Sequence, residues 1–180
     1  MLVSAAPRLA LEWLRHAHGP EAEGRAIALT STRHGIDLHE ELRHPWVPFR
    51  VHLALLESLE ALGFSTYEFQ ALGRYSAGHL EHVMPGAALV LKLASPERLL
   101  RVAPTLWRTY ADFGHLEAHP EGHHMELRLR DVPATPAFCA TLQGFFHGLL
   151  ERSGGHDASV EHHQCAAHGC SACVFSGRWT

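Results

Sequence analysis

The sequence has few of the features that bind nucleic acid or carry out catalysis. Lys92 is the only lysine among 15 basic residues, and 19 acidic residues leave a formal charge of -4. Because the arginines are spread along the chain and form no basic stripe, we expect no nucleic-acid partner. The chain also contains no glycine-rich phosphate loop, no nucleophile elbow and no HExxH sequence. We therefore expect a protein that is not an enzyme.

Long apolar runs are missing as well. The longest, residues 85–94, is interrupted by Lys92 and is far shorter than the roughly 20 residues of a membrane-spanning helix. The N-terminal segment carries Glu12 inside a periodic apolar pattern, which indicates a helix and not a signal peptide. We expect no membrane span and a cytoplasmic location, where the four cysteines are more often thiols or metal ligands than disulfides.

Helical periodicity dominates residues 1–113. Val51, Leu55 and Leu59 recur on one face of a predicted helix that Gly63 ends. A second helix is predicted from Thr66 to about Val83. A third begins after Ser95, which is a suitable N-cap, and reaches about Phe113. The first part of the chain is therefore expected to be mainly helical.

Residues 114–180 have a different pattern. Alternation on both sides of a Pro-Glu-Gly turn predicts a hairpin, and residues 136–152 predict a long helix. Two further strands are expected at 158–164 and 172–179, joined by a cysteine-bearing loop. The order of hairpin, helix and hairpin predicts an α+β fold with an antiparallel sheet covered on one side. We expect a single domain over residues 1–180.

Three of the four cysteines lie in residues 160–175, close to several histidines. Zinc takes four nitrogen or sulfur ligands, and this segment can supply two or more of them. Two ligand sets are consistent with the sequence: Cys139, His162, Cys165 and Cys173, or the local set Cys165, His168, Cys170 and Cys173. Residues 162 and 165 face opposite sides of a regular strand, so the first set requires the strand to end or twist there. Ordinary buried thiols are the alternative interpretation.

The C-terminal segment resembles the closing strands of the 4-vinyl-reductase-like sensor domain. That family's signature is an acidic residue, a cysteine three places on, a glycine, a cysteine eight places after the first, and an aromatic strand. Cys165, Gly169, Cys173 and Phe175 match these spacings. The family's phenol-sensing activators bind zinc with these residue types and with a further cysteine 26 positions before the first, where this chain has Cys139.

The resemblance implies a zinc site built from Cys139, His162, Cys165 and Cys173. His162 stands where the family has its acidic ligand, and Glu161 or His163 remains an alternative at this position. Four protein ligands leave no open position for water, which is the arrangement of a structural zinc site.

With the sequence PTLWRTYADFGHLE at residues 104–117 and the closing Trp179, the chain also resembles, over nearly its full length, a myxobacterial paralogous domain of similar size and undefined function. The 4-vinyl-reductase-like domains are related in fold to heme nitric-oxide/oxygen-binding (H-NOX) domains and to small TRAPP subunits. The resemblance implies a sensor domain that binds a small apolar or aromatic ligand and signals through a protein partner or as a homodimer. The alternatives are a heme-based gas sensor and a ligand-free interaction scaffold of the TRAPP type.

Aromatic residues supply the candidate ligand-binding side chains. These are Trp107, Tyr110, Phe113 and Phe146. Trp107 and Tyr110 also offer polar groups, which ligand pockets use sparingly. At helical spacing, aromatic residues taken singly are more often plain core, so core packing is the alternative interpretation for each of them.

Heme requires an axial ligand, for which a histidine is common. His79, His82 and His115 are the candidates. The Tyr-x-Ser-x-Arg signature of H-NOX domains is absent, since Tyr75 and Ser76 are adjacent.

Two glycines four residues apart lie inside the long predicted helix. Gly144 and Gly148 each cost the helix roughly 1 kcal/mol relative to alanine, so another backbone is expected to approach closely. The domain's own sheet and a second copy of the chain are the two expected neighbours.

Overall fold

The computed structural model describes residues 1–82 and 95–180. The described helices are α1 (Ala5–His18), α2 (Pro20–His34), α3 (Leu38–Glu41), α4 (Phe49–Ala61), α5 (Thr66–Gly78), α6 (Pro96–Tyr110) and α7 (Pro136–Arg152). The strands are β1 (Leu2–Val3), β2 (Trp46–Val47), β3 (His115–Glu121), β4 (His124–Arg130), β5 (Ser159–Gln164) and β6 (Cys173–Arg178). Single 3-10 turns lie at Leu80–His82 and Ala166–His168. The α+β prediction, with hairpin, helix and hairpin at the C-terminal end, is confirmed.

Most helix ends follow the local sequence signals. Ser65 forms a capping box with Glu68 at the start of α5, and Ser95 accepts a hydrogen bond from the backbone of Arg98 at the start of α6. The expected continuation of α5 toward Val83 and the apolar run at 85–94 lie outside the described residues.

Helix α6 ends earlier than the sequence predicts. The expected end was near Phe113, but Ala111 is extended (φ -142°, ψ 138°) and forms a bridge with Leu2. Leu2 belongs to β1, which pairs with β2 in a two-residue ladder. This long-range pairing ends the helix, and no local sequence signal marks it.

The main sheet has the strand order β3-β4-β6-β5 and is antiparallel throughout. Its inner face is apolar, because Leu127, Leu129 and Phe175 are completely buried. The turn between β3 and β4 is Gly122-His123, so the expected Pro-Glu-Gly turn is placed too early: Pro120 pairs with Met125 inside the ladder.

Helices α5 and α7 pack with their backbones unusually close together. A Cβ atom added to Gly144 would lie 2.0 Å from the carbonyl oxygen of Gln70, and one added to Gly148 would lie 2.8 Å from Cβ of Ala77. The neighbour that requires these glycines is therefore α5 of the same chain. The two expected neighbours, the sheet and a second copy, are wrong for these positions.

Neither half of the described chain contains a segment suited to spanning a bilayer. In residues 1–82 and 95–180, no helix combines the necessary length and apolar character.

Candidate metal centre and core cavity

Four metal-binding side chains converge where α7 meets the ends of β5 and β6. The ligand atoms of Cys139, His162, Cys165 and Cys173 all lie within 4.8 Å of one another. Cys139 Sγ lies 3.3 Å from Cys173 Sγ and 3.5 Å from Cys165 Sγ. All three cysteines are buried, and His162 is half-buried.

The helix α7 and the strand β6 each place one cysteine in the cluster. Thr135 caps α7 by accepting a hydrogen bond from the backbone of Phe138, which puts Cys139 in the first turn of the helix, where it is buried. Cys173 begins β6 and lies opposite Leu129 of the sheet's inner face.

A bulge in β5 brings His162 and Cys165 together. His162 pairs with Phe175 and Gln164 pairs with Val174, so the register shifts between residues 162 and 164. The extra residue reverses the alternation of side chains, because two residues of β5 oppose one of β6. Cys165 then follows the strand end and faces the same side as His162. This is the twist that the first ligand set required.

Contacts inside the cluster favour the thiolate form of Cys173. The Cys139 thiol, with smaller contributions from His162 and the Ala166 amide, lowers the pKa of Cys173 below its ordinary value. The Ala166 N–H donates to Cys173 Sγ at 3.4 Å. The same contact with Cys173, together with burial, raises the pKa of Cys139. Among the described residues, the buried Nε2 of His162 has no hydrogen-bond partner.

The other candidate ligands lie outside this cluster. His163 contacts Ser176 at 2.5 Å on the outer side of the sheet, and Glu161 is exposed there. His168 and Cys170 are exposed in the loop. Within the described part of the chain, the group that can hold a metal contains none of these four residues.

The cluster fits zinc by its chemistry and spacing. A tetrahedral zinc with bonds of about 2.3 Å separates its sulfur ligands by about 3.8 Å, slightly more than the two sulfur distances here. Three thiols and one imidazole are a ligand set of structural zinc sites. Zinc binding itself remains a prediction.

A second candidate site is an apolar cavity of about 150 Å³ inside the domain. Much of its wall is formed by α6 and α7, and the rest by β1, α1, α4, α5, the 3-10 turn at Leu80 and the inner face of the main sheet. The side chains with polar atoms in its lining are His52, Ser76, Trp107, Tyr110 and Thr141. No Asp, Glu, Lys or Arg is among the described lining residues.

Three of the four predicted ligand-binding residues line this cavity. They are Trp107, Tyr110 and Phe146. Phe113 is not part of the lining; its ring stacks on Phe49 with 4.2 Å between centroids. The Trp107 indole N–H also donates to the Phe113 carbonyl at 2.9 Å, so its polar group is already used.

The sequence analysis missed His52, which also lines the cavity. His52 lies on α4, only 5% exposed, and burial lowers its pKa to about 4. Its position next to Val51 and four residues before Leu56 was a usable signal, because both of those residues are completely buried on the same helix.

Aromatic rings connect the cavity with the metal-binding cluster. Phe146 contacts Phe175 with 5.3 Å between centroids, and Phe175 stacks on His162 at 4.5 Å. We call Phe146, Phe175 and His162 the ring series. It gives a packed path between the two candidate sites.

The cavity lined by the described residues is small compared with ligand-sized pockets. A volume of about 150 Å³ is below the roughly 300–1,000 Å³ of pockets that hold drug-sized ligands. Of the expected axial ligands, His115 is exposed beside Asp131 and His79 stacks on Tyr75, and neither is among the described lining residues of the cavity. The side chain of His82 is not among those that the structure describes.

The fold is similar to that of H-NOX proteins. An H-NOX protein from S. oneidensis, in its Fe(II)NO ligation state, superposes with a TM-score of 0.72 at 10% identity over 99% of both chains. The Fe(II) unliganded H-NOX protein from K. algicida gives a TM-score of 0.72 at 14% identity, over 99% of this chain and 97% of that one. At such identities the likeness establishes the fold alone.

Comparison with known sequences assigns the chain to a protein family. No curated protein matches the chain. A family model described as "Protein of unknown function (DUF2378)" matches residues 35–180, and the chain belongs to this family.

Proposed function

We propose that this chain is a non-enzymatic sensor domain whose core cavity binds a small apolar or aromatic ligand. The observation that carries the proposal is the cavity of about 150 Å³ with its largely apolar lining. Natural cores are packed with few voids larger than a water molecule. A void of this size costs stability when it is empty, and binding of a ligand offsets that cost.

Zinc in the cysteine and histidine cluster would have a structural role. Cys139, His162, Cys165 and Cys173 supply four ligands, so no coordination position is left for a substrate or water. The metal would tie α7 to the ends of β5 and β6. Helix α7 also forms one wall of the cavity, so the zinc site supports the wall that contacts the ligand.

The signal would pass to a separate protein or to a second copy of the chain. Ligand binding would change the packing of α6 and α7 around the cavity, and the exposed side of α6 would pass this change to the partner. An interaction scaffold without a ligand would instead need a filled core and a large apolar surface patch. The cavity supports the sensor over the scaffold.

A heme-based gas sensor is the second candidate, supported by the likeness to H-NOX folds. The small cavity counts against it, and His52 is the one histidine among the described lining residues. A visible spectrum distinguishes the two candidates, because heme absorbs strongly near 400 nm and a small aromatic ligand does not.

Ligand binding in the cavity can be tested with ethylbenzene and amide NMR spectra. We expect saturable shifts at α6 and α7. In Ala103→Phe, the new ring enters the cavity because Ala103 lines it, and binding should be lost. Val102→Phe is the matched control, since Val102 is the adjacent residue and is 42% exposed. Equal binding by both variants would contradict the proposal.

A further inference from the structure

We propose that the outward side of α6 is a docking surface for an acidic α-helix of a partner protein. The inference rests on the proposed function, because it names the chemistry of the partner that receives the signal. We call this surface the arginine face of α6. It consists of the exposed residues of that helix, which are Arg98, Arg101, Val102, Thr105, Arg108 and Thr109.

The arginine face is positively charged, although the whole chain has a formal charge of -4. It carries three arginines, and no acidic residue is among the exposed residues of α6. Arg101 forms an ion pair at 2.7 Å with Glu97, which is half-buried at the start of the helix. Within the described part of the chain, Arg98 and Arg108 have no carboxylate partner; Arg108 donates only to the Thr105 hydroxyl, at 3.5 Å. The face therefore has positive charge that a partner can pair with.

Helix stability gives no reason for Arg98. This residue lies in the first turn of α6, where positive charge opposes the helix dipole. Helix α2 has the order that the dipole favours, with Glu21 and Glu23 in its first turn and Arg33 in its last turn. The position of Arg98 is better explained by an interaction outside the helix.

The composition of the arginine face is that of a protein interface. Val102 is 42% exposed, and Arg98 and Thr105, four and three residues away, are its neighbours on the helix surface. Arginine is enriched in protein interfaces, whereas lysine, glutamate and aspartate are depleted. An exposed apolar side chain beside arginines can pack on a partner while the arginines pair with its carboxylates.

A membrane and a nucleic acid fit this face less well. A helix that lies on a membrane buries a side rich in Trp, Phe or Leu. Among the exposed large hydrophobic side chains of the described residues, Val102 is the one on α6. Nucleic-acid-binding domains are usually basic as a whole, and this chain is acidic. An acidic protein surface is therefore the favoured partner.

The spacing of the arginines indicates a helix as the partner. Arg101 and Arg108 are seven residues apart, so they lie on the same side of α6, two turns or roughly 10 Å apart along its axis. A partner helix with glutamates seven residues apart repeats this spacing. Each arginine can then bind one carboxylate with two hydrogen bonds, and an apolar side chain of the partner can pack on Val102.

The opposite side of the same helix lines the cavity. Ala103, Leu106 and Trp107 are the α6 residues nearest to the middle of that wall. A ligand that changes the packing of this side also moves the arginines on the other side. Occupation of the cavity should therefore change the affinity for the partner helix, and the partner should change the affinity for the ligand by the same factor.

A synthetic peptide tests the docking surface on the full-length, zinc-loaded protein. The probe is a fluorescent helical peptide of about five turns, with glutamates every seven residues beside leucines. A control peptide has the same composition with its glutamates moved around the helix. Fluorescence anisotropy gives the dissociation constants for the wild type and for Arg101→Glu combined with Arg108→Glu. The matched control protein combines Arg25→Glu with Arg33→Glu, because both of these arginines are exposed on α2 and the change in net charge is equal.

The expected result depends on position and not on net charge. Reversal of the two α6 arginines should weaken binding of the probe about 10-fold, whereas reversal of the two α2 arginines should change it less than two-fold. The control peptide should bind about 10-fold more weakly than the probe, and added salt should weaken the probe. Equal effects of the two double variants, equal binding of the two peptides, or no binding of the probe would overturn the docking surface.

Two other occupants of the face have outcomes of their own. Binding to phosphatidylglycerol vesicles that is lost on reversal of Arg101 and Arg108, without binding of the probe, would overturn the protein partner in favour of a lipid surface. A dimer in sedimentation that the same reversal dissociates would overturn it in favour of a second copy. Should the double variant not fold, Arg101→Gln combined with Arg108→Gln makes the same test.

Ethylbenzene separates this inference from the proposed function. The account expects several-fold weaker or tighter binding of the probe when ethylbenzene occupies the cavity. If the probe binds as expected and ethylbenzene changes nothing, the docking surface stands and its link to the cavity fails. If ethylbenzene does not bind at all, the proposed function fails, and the double variants alone decide on the docking surface.

Discussion

Alanine at Gly144 and alanine at Gly24 should change stability in opposite directions. Both glycines lie inside helices. A Cβ atom at Gly144 would lie 2.0 Å from the Gln70 carbonyl oxygen and 2.7 Å from the Gln70 Cα. At Gly24, on the exposed side of α2, nothing lies within 4 Å of the added atom.

The magnitudes follow from packing and helix propensity. Alanine at Gly24 should stabilise the protein by up to about 1 kcal/mol, because only the helix preference changes. Alanine at Gly144 brings the same gain in helix preference. There, however, the new Cβ atom would overlap the backbone of Gln70, so α5 must move away from α7. Overpacking costs about 1–3 kcal/mol, and we expect the upper end because the obstacle is backbone. The net expectation for Gly144→Ala is a loss of about 2 kcal/mol.

Urea unfolding of the two variants and the wild type measures this difference. The slopes should agree, so that the midpoints report stability alone. We expect the midpoint of Gly144→Ala to fall and that of Gly24→Ala to rise. If Gly144→Ala is as stable as the wild type, the close approach of α5 and α7 described here is incorrect.

Four further predictions concern the two candidate sites. Cys139→Ser should abolish zinc binding and lower the melting temperature, whereas Cys170→Ser should change neither; elemental analysis and calorimetry check this. His162→Gln should weaken zinc binding and His163→Gln should not, as measured by competition with a chelator. Because the pKa of His52 is lowered to about 4 in the folded state, the unfolded state binds more protons between pH 6.5 and 4, and stability falls as pH falls through that window. From pH 7 to pH 5 the wild type should lose about 2 kcal/mol more than His52→Leu in urea unfolding; equal losses would contradict the burial of a neutral His52. Removal of zinc should weaken ethylbenzene binding several-fold through the ring series, and ethylbenzene should strengthen zinc binding by the same factor.

Local signals in the sequence were sufficient to predict most of the elements. Ser95 caps the start of α6, and Gly63, with φ 93°, follows the end of α4, as expected from the sequence. The spacing of Cys139, Cys165 and Cys173, interpreted through a resemblance, named the residues that the fold brings together. These features depend on interactions close in sequence or on a recognisable motif.

The features that were missed depend on long-range packing. The end of α6 is set by the bridge between Ala111 and Leu2, and the glycines of α7 are explained by α5. His52 is different, because its position among the apolar residues of α4, beside Val51 and four residues before Leu56, was a local signal of its burial. Phe113 was placed on the helix by its spacing, but it lies beyond the helix end and stacks on Phe49.

Metal content and a visible spectrum of one purified sample test the central claim most directly. The account predicts about one zinc per chain, bound by the Cys139, His162, Cys165 and Cys173 cluster, and no heme absorption band near 400 nm. A strong band near 400 nm without zinc would contradict it, because the histidines and a heme, in place of the cysteine cluster and a small cavity, would then carry the function.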